Sequence, residues 1–94
     1  MTDTPANDPL AAFLGQEIVL DTQGPLIYIG RLLETGADFL LLGEADVHDT
    51  NDSQASKDLY ILETRELGVR INRARVLVMR TGIASISLLR DVVD

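Results

Sequence analysis

The sequence predicts a mainly β domain: a short N-terminal helix, then a five-stranded, strongly bent antiparallel sheet or small open barrel, with a helical insertion between the third and fourth strands. Three observations predict it. Short aliphatic runs recur between turn signals from Gln16 onward, the spacing of consecutive antiparallel strands. Hydrophobic residues make up 46% of the chain but aromatics only 4%, with no Trp, so the core must be built from Leu, Ile and Val. Gly30 stands inside the longest run, where a glycine weakens the ladder but lets the strand bend sharply.

Taken in order, Met1–Asn7 is small and polar and reads as a disordered tail. Residues 8–94 form one domain, since 94 residues suit one and not two. "DPLAAFLG" predicts a helix from Asp8 to Gly15, with Asp8 as its cap, Pro9 at its first position and Gly15 at its stop. Gln16–Thr22 is the first strand, with Ile18 and Leu20 on one face, and Gln23–Pro25 a turn. Leu26–Glu34 is the second strand, Thr35–Asp38 a turn, and Phe39–Val47 a third strand so continuously aliphatic that both its faces should be covered. The insertion spans about 49–72. Its Lys57–Leu67 portion is rich in straight-chain helix formers, which favours a helix begun by Asp52 or Ser53 over a strand at Leu59–Leu62. That helix would turn Leu59, Leu62 and Leu67 to the body. Val69–Asn72 is a connector.

Arg73–Arg80 and Ile83–Leu89 are strands four and five. Thr81-Gly82 between them predicts a two-residue hairpin with Gly82 at positive φ, pairing Val78 with Ser85 and Leu77 with Ile86. Leu77, Met79, Ala84, Ile86 and Leu88 then form the core face, and Val76, Val78 and Ile83 form a second apolar face that needs a cover.

The formal charge of −7 argues against general attraction to phosphate, so DNA is not an expected partner. The signs are segregated: Glu44, Asp46, Asp49, Asp52 and Asp58 precede Arg65, Arg70, Arg73, Arg75 and Arg80. No segment has the basic-then-apolar pattern of a secretory leader, and no apolar run has the ~20 residues a membrane span needs. Together with the absence of cysteine, this gives a cytoplasmic protein without membrane contact as the expectation.

The stretches "LGQEIVLDTQGPLIYIGRLLETGADFLLLGEA" and "VLVMRTGIASISLL" resemble the two sequence motifs of Sm-like proteins. Gly15, Ile18, Gly24, Gly30, Leu32 and Ala45 fall where that family places glycines and apolar residues. The resemblance covers about Asp8–Asp91, interrupted by the insertion. It implies a ring in which strand four of one subunit pairs with strand five of the next, with Val76, Val78, Ile83 and Ile86 at or near the joint. It also implies RNA as a candidate partner, through Arg80 and Gly82 of the second motif and Asp38 beside the turn between strands two and three. The family's base-reading Asn is replaced by Phe39 or Leu40, neither of which can make its hydrogen bonds, so the pocket is degenerate. Arg73 and Arg75, alternating to one face of strand four, are further candidates for phosphate contact.

Other chemistry has little support. His48 stands among Asp46, Asp49 and Asp52, but the spacing fits no cation-binding loop and no second histidine is present, so neither a metal site nor a cofactor is assigned. There is no cysteine nucleophile, phosphate-binding glycine loop or Gly-x-Ser-x-Gly elbow, so no catalytic residue is named and no enzyme is expected. The alternatives to a ring-forming, RNA-binding module are a protein-interaction scaffold that binds no RNA and a small metal- or ligand-binding barrel.

Overall fold

The computed structural model describes residues 9–94; the expected tail at Met1–Asn7 and the expected cap Asp8 lie outside the described residues. A 3-10 turn at Pro9–Phe13 precedes β1 (Glu17–Thr22), β2 (Leu26–Thr35) and β3 (Phe39–Asp49). The insertion follows, with α1 at Lys57–Leu67, then β4 (Arg73–Met79) and β5 (Ile83–Leu88). All pairings are antiparallel. The strand order is β4-β3-β2-β1-β5, so β4 and β5 lie at opposite edges of one five-stranded sheet.

The bend is built into β2 and β3. Their register shifts between Ile29 and Arg31 and again between Leu32 and Glu34. At the first shift a Cβ on Gly30 would lie 2.9 Å from the Ala45 Cβ and 3.0 Å from the Gly43 carbonyl. Only a residue without a side chain lets the strands approach that closely. Gly30 thus serves the bend expected of it, through close approach to β3.

Both faces are covered over β1 and the Ile27–Ile29 part of β2; on β3 Leu41 is half-buried, so the cover expected on both faces of that strand is partial. Ile18, Leu20, Leu32, Leu40, Leu42, Val78 and Leu88 form the inner cluster of the bent sheet. On the outer face Val19, Ile27 and Ile29 pack with Tyr60 of α1 and Leu89. This explains why three successive residues of β1, Ile18, Val19 and Leu20, are all buried where alternation alone would expose the middle one.

The expected hairpin is not formed. β4 pairs with β3 (Leu42 opposite Val76, Leu40 opposite Val78), and β5 pairs with β1 (Ile18 opposite Leu88, Leu20 opposite Ile86). Arg80–Gly82 is a 3-10 turn that carries the chain from one edge to the other, and Gly82 does not take positive φ. The long aliphatic faces of β3 and β1 outcompete the local turn signal for these two strands. The expected faces of β4 are inverted as well. Val78 is buried and Val76 half-buried against the inner cluster, whereas Leu77 and Met79 point outward, 58% and 57% exposed. Ile86 and Leu88 of β5 do face inward, but Ala84 is exposed.

The insertion helix exists but starts later and turns further than expected. Ser56 caps it, its hydroxyl accepting from the Leu59 N–H at 3.2 Å, and Gly68 ends it at φ 96° with its N–H on the Thr64 carbonyl. Tyr60 and Thr64 face the body, with Ile61 beside them, while Leu59 and Leu67 lie exposed. The single lysine, Lys57, ties the helix start to the β1–β2 turn through the Asp21 carboxylate (2.7 Å) and the carbonyls of Thr22 (2.9 Å) and Gly24 (2.6 Å).

Candidate functional site

Three turns meet at one end of the bent sheet. The Arg80 N–H donates to the Asp38 carbonyl (2.9 Å), and the Arg80 side chain donates through Nε to the Gly36 carbonyl (3.0 Å). On the other side the Gln23 N–H donates to the Gly82 carbonyl (3.0 Å). The Arg80–Gly82 turn is therefore clamped between the β1–β2 and β2–β3 turns. Arg80 and Gly82 come together there with Asp38, more than forty positions earlier in the chain, and all three are exposed. Among the described residues the two terminal guanidinium nitrogens of Arg80 have no hydrogen-bond partner, which suits them to a phosphate or a base edge.

Phe39 stands next to this cluster. Its ring lies over Gly36, where an added Cβ would meet it at 2.3 Å. The half-buried ring shapes the turn and supplies no base-reading amide. A cleft of about 410 Å³ opens between the β1–β2 turn and the end of β4, lined by Gly24, Tyr28, Met79, Thr81 and Gly82 among others. Tyr28 was not singled out by the sequence, because nothing in it brings a residue of β2 beside the Arg80 turn. It puts a half-buried aromatic ring in that cleft.

Arg73 and Arg75 do not join this cluster. They sit opposite Ala45 and Gly43 toward the far end of β4, ~23 Å and ~16 Å from Arg80 at a strand rise of ~3.3 Å per residue. Both are exposed on the outer face, in phase with Leu77 and Met79. Among the described residues none of Arg73, Arg75 and Arg80 has a carboxylate within 4.0 Å; Arg65 is the arginine of that run that pairs, with Glu66 and Asp94.

The acidic stretch around His48 is occupied internally. Asp46, only 2% exposed, accepts from the Tyr60 hydroxyl and from the Asn72 side-chain amide (2.9 Å). The Asn72 side chain also exchanges hydrogen bonds with the backbone of Val47 (3.0 and 3.2 Å). His48 stacks flat on Tyr60, ring centroids 3.7 Å apart, and touches the Ser53 hydroxyl. Burial, and then the bond to the Asp46 carboxylate, push the Tyr60 phenol up to about 12. Asp46 and His48, to which the sequence assigned no metal, thus latch α1 to β3 through Tyr60. Among the described residues no three His, Cys, Asp or Glu side chains are grouped to hold a metal ion.

No protein-family model matches the sequence, and no curated protein matches it. Several solved structures are similar, three of them as follows. An Sm protein of Pyrococcus abyssii in complex with a uridine heptamer aligns over 87% of this chain and 99% of its own, with TM-score 0.59 and 13% identity. A chain of the NatC complex bound to CoA aligns over 93% and 88%, with TM-score 0.57 and 19% identity. One from the NatC complex bound to Gag peptide and CoA aligns over 84% and 89%, with TM-score 0.56 and 20% identity. With these neighbours, a bent five-stranded sheet whose fourth and fifth strands form opposite edges, and a turn bearing Arg80 and Gly82 between them, the chain has the Sm-like fold.

Proposed function

We propose that this chain is a self-assembling Sm-like module in which β4 of one copy pairs with β5 of the next until the ring closes. The observation that carries the reading is the strand order, which leaves β4 and β5 each with one side of the backbone unpaired among the described residues. Such edges invite further strand addition, and two complementary edges on one molecule give head-to-tail assembly. Because Val78 is already buried and Val76, Ile83 and Ile86 lean on the same inner cluster, the joint would be made chiefly by backbone bonds, with these four side chains continuing the inner core beneath it. The test is sedimentation velocity over a dilution series. We expect a particle whose mass is a whole multiple of 10.3 kDa; a 10.3 kDa species throughout the micromolar range contradicts the reading.

RNA binding at the Arg80 turn is the activity proposed for the ring, favoured by the convergence of Arg80, Asp38 and Gly82 and by the uridine heptamer bound to the Pyrococcus protein. Each copy would contribute one Arg80. With Phe39 in place of an amide, contact would rest on phosphate and stacking more than on base edges, so affinity should fall steeply with salt. Anisotropy of a labelled uridine-rich oligonucleotide checks this: we expect binding at low salt that Arg80→Ala abolishes. Absence of binding at low salt leaves the protein-interaction scaffold as the function. Neither role involves catalysis, and the compartment we propose is the cytoplasm.

A further inference from the structure

We propose that the groove between α1 and β5 receives the outward side chains of a second copy's β4, making the insertion part of the subunit joint. This rests on the edge pairing proposed above, and it assigns a role to a segment which that pairing does not itself need.

The groove measures about 660 Å³. Its floor is the outer face of β5, where Ser85 and Ser87 are small and exposed beside Asp21 and Val19 of β1. Its wall is α1, which presents Asp58 and Leu59, and its rim is the C-terminal Val93 and Asp94. A strand added antiparallel to β5 continues the sheet, and each side chain keeps to its own face. On an incoming β4, Val76 and Val78 belong to the inner face. Arg73, Arg75, Leu77 and Met79 are the outward row, and they would lie beside Ser85 and Ser87, over the groove.

The two surfaces match in charge and in polarity. Asp21, Asp58 and Asp94 line the groove, and no lysine or arginine does. Asp21 and Asp94 are bonded to Lys57 and Arg65, but Asp58 has no cation within 4.0 Å among the described residues. Arg73 and Arg75 likewise have no carboxylate within 4.0 Å among the described residues. The same surfaces carry apolar side chains left exposed among the described residues: Leu59 (47%) on α1 and Val93 (81%) on the rim, Leu77 and Met79 on the strand. For a chain of net charge −7, setting an arginine strip against an acidic groove also offsets the repulsion between copies.

A charge swap tests this. Asp58→Arg and Arg75→Glu, both at exposed positions, are compared with the double variant by sedimentation over dilution, with far-ultraviolet circular dichroism to check that each folds. We expect each single variant to loosen assembly by about tenfold or more, and the double variant to return to within about threefold of the parent. If the parent assembles and the single variants assemble equally well, or the double variant shows no recovery, α1 is not in the joint, although edge pairing survives. If the parent is itself a monomer, both proposals fall.

Discussion

The central strands and the edge strands of this sheet are finished to different degrees. In β1, β2 and β3, Ile18, Leu20, Ile27, Ile29, Leu32, Leu40 and Leu42 have no exposed surface, and every strand has a neighbour on each side. In β4 and β5 only Val78 and Leu88 are buried, Leu77 and Met79 lie open on the outer face, and one backbone edge of each strand faces outward. The insertion sharpens the contrast, since α1 covers Val19, Ile27 and Ile29 of the central strands and leaves β4 uncovered. The folded core is therefore supplied by the chain itself, whereas β4 and β5 each keep one side without a strand partner among the described residues.

The comparison predicts which substitutions act on folding and which on assembly. The largest effect is expected in the central strands: Leu20→Ala, beneath the inner cluster, should cost ~2–5 kcal/mol in urea unfolding because the cavity cannot refill. Gly30→Ala should cost ~1–3 kcal/mol, since the added methyl meets the Ala45 Cβ and the Gly43 carbonyl across the bend. Tyr60→Phe should cost ~1–3 kcal/mol, because it leaves the buried Asp46 carboxylate with Asn72 as its remaining side-chain partner. The smallest effect is expected at the edge: Leu77→Ser should change unfolding of the dissociated protomer by less than ~0.5 kcal/mol while weakening assembly. A loss at Leu77 as large as that at Leu20 would erase the distinction.

The latch also gives a pH dependence. Tyr60 titrates near 10 when unfolded and is pushed up to about 12 in the folded chain. A raised pKa stabilises the folded chain fully below the unfolded value, so this contribution is complete below pH 10 and is lost as pH rises from 10 to about 12. Unfolding midpoints followed through that window should fall for the parent more than for Tyr60→Phe.

Much of this architecture was legible in the residues. Turn signals at Gln23–Pro25 and Thr35–Asp38 placed the meander, and aliphatic runs placed all five strands to within a residue or two. What misled was local resemblance. Thr81-Gly82 between two apolar runs looks like a hairpin, but strand partners are chosen by distant registers that the local pattern does not encode. Both rows of β4 are apolar at its C-terminal end, so Val76/Val78 and Leu77/Met79 compete for the core. Arg73 and Arg75 fall in phase with Leu77 and Met79, and that phase marked the outward row. Along α1 the leucines suggested the buried face, yet the helix turns Tyr60 and Thr64 inward, Tyr60 because the buried Asp46 needs a donor. Its start was blurred by several capping residues in succession, Asp52, Ser53 and Ser56 among them. At the candidate site, Arg80, Gly82 and Asp38 were accessible through the resemblance, whereas Tyr28 depends on how β2 folds past the Arg80 turn.

Amide hydrogen exchange resolved along β4 and β5 tests most directly whether copies of the chain complete these edges. At assembling concentrations, the amides of β4 that point away from β3, and those of β5 that point away from β1, should be protected nearly as well as the central strands, and should lose that protection on dilution. Free exchange of those amides at every concentration, beside a protected β1–β3 core, would contradict the account.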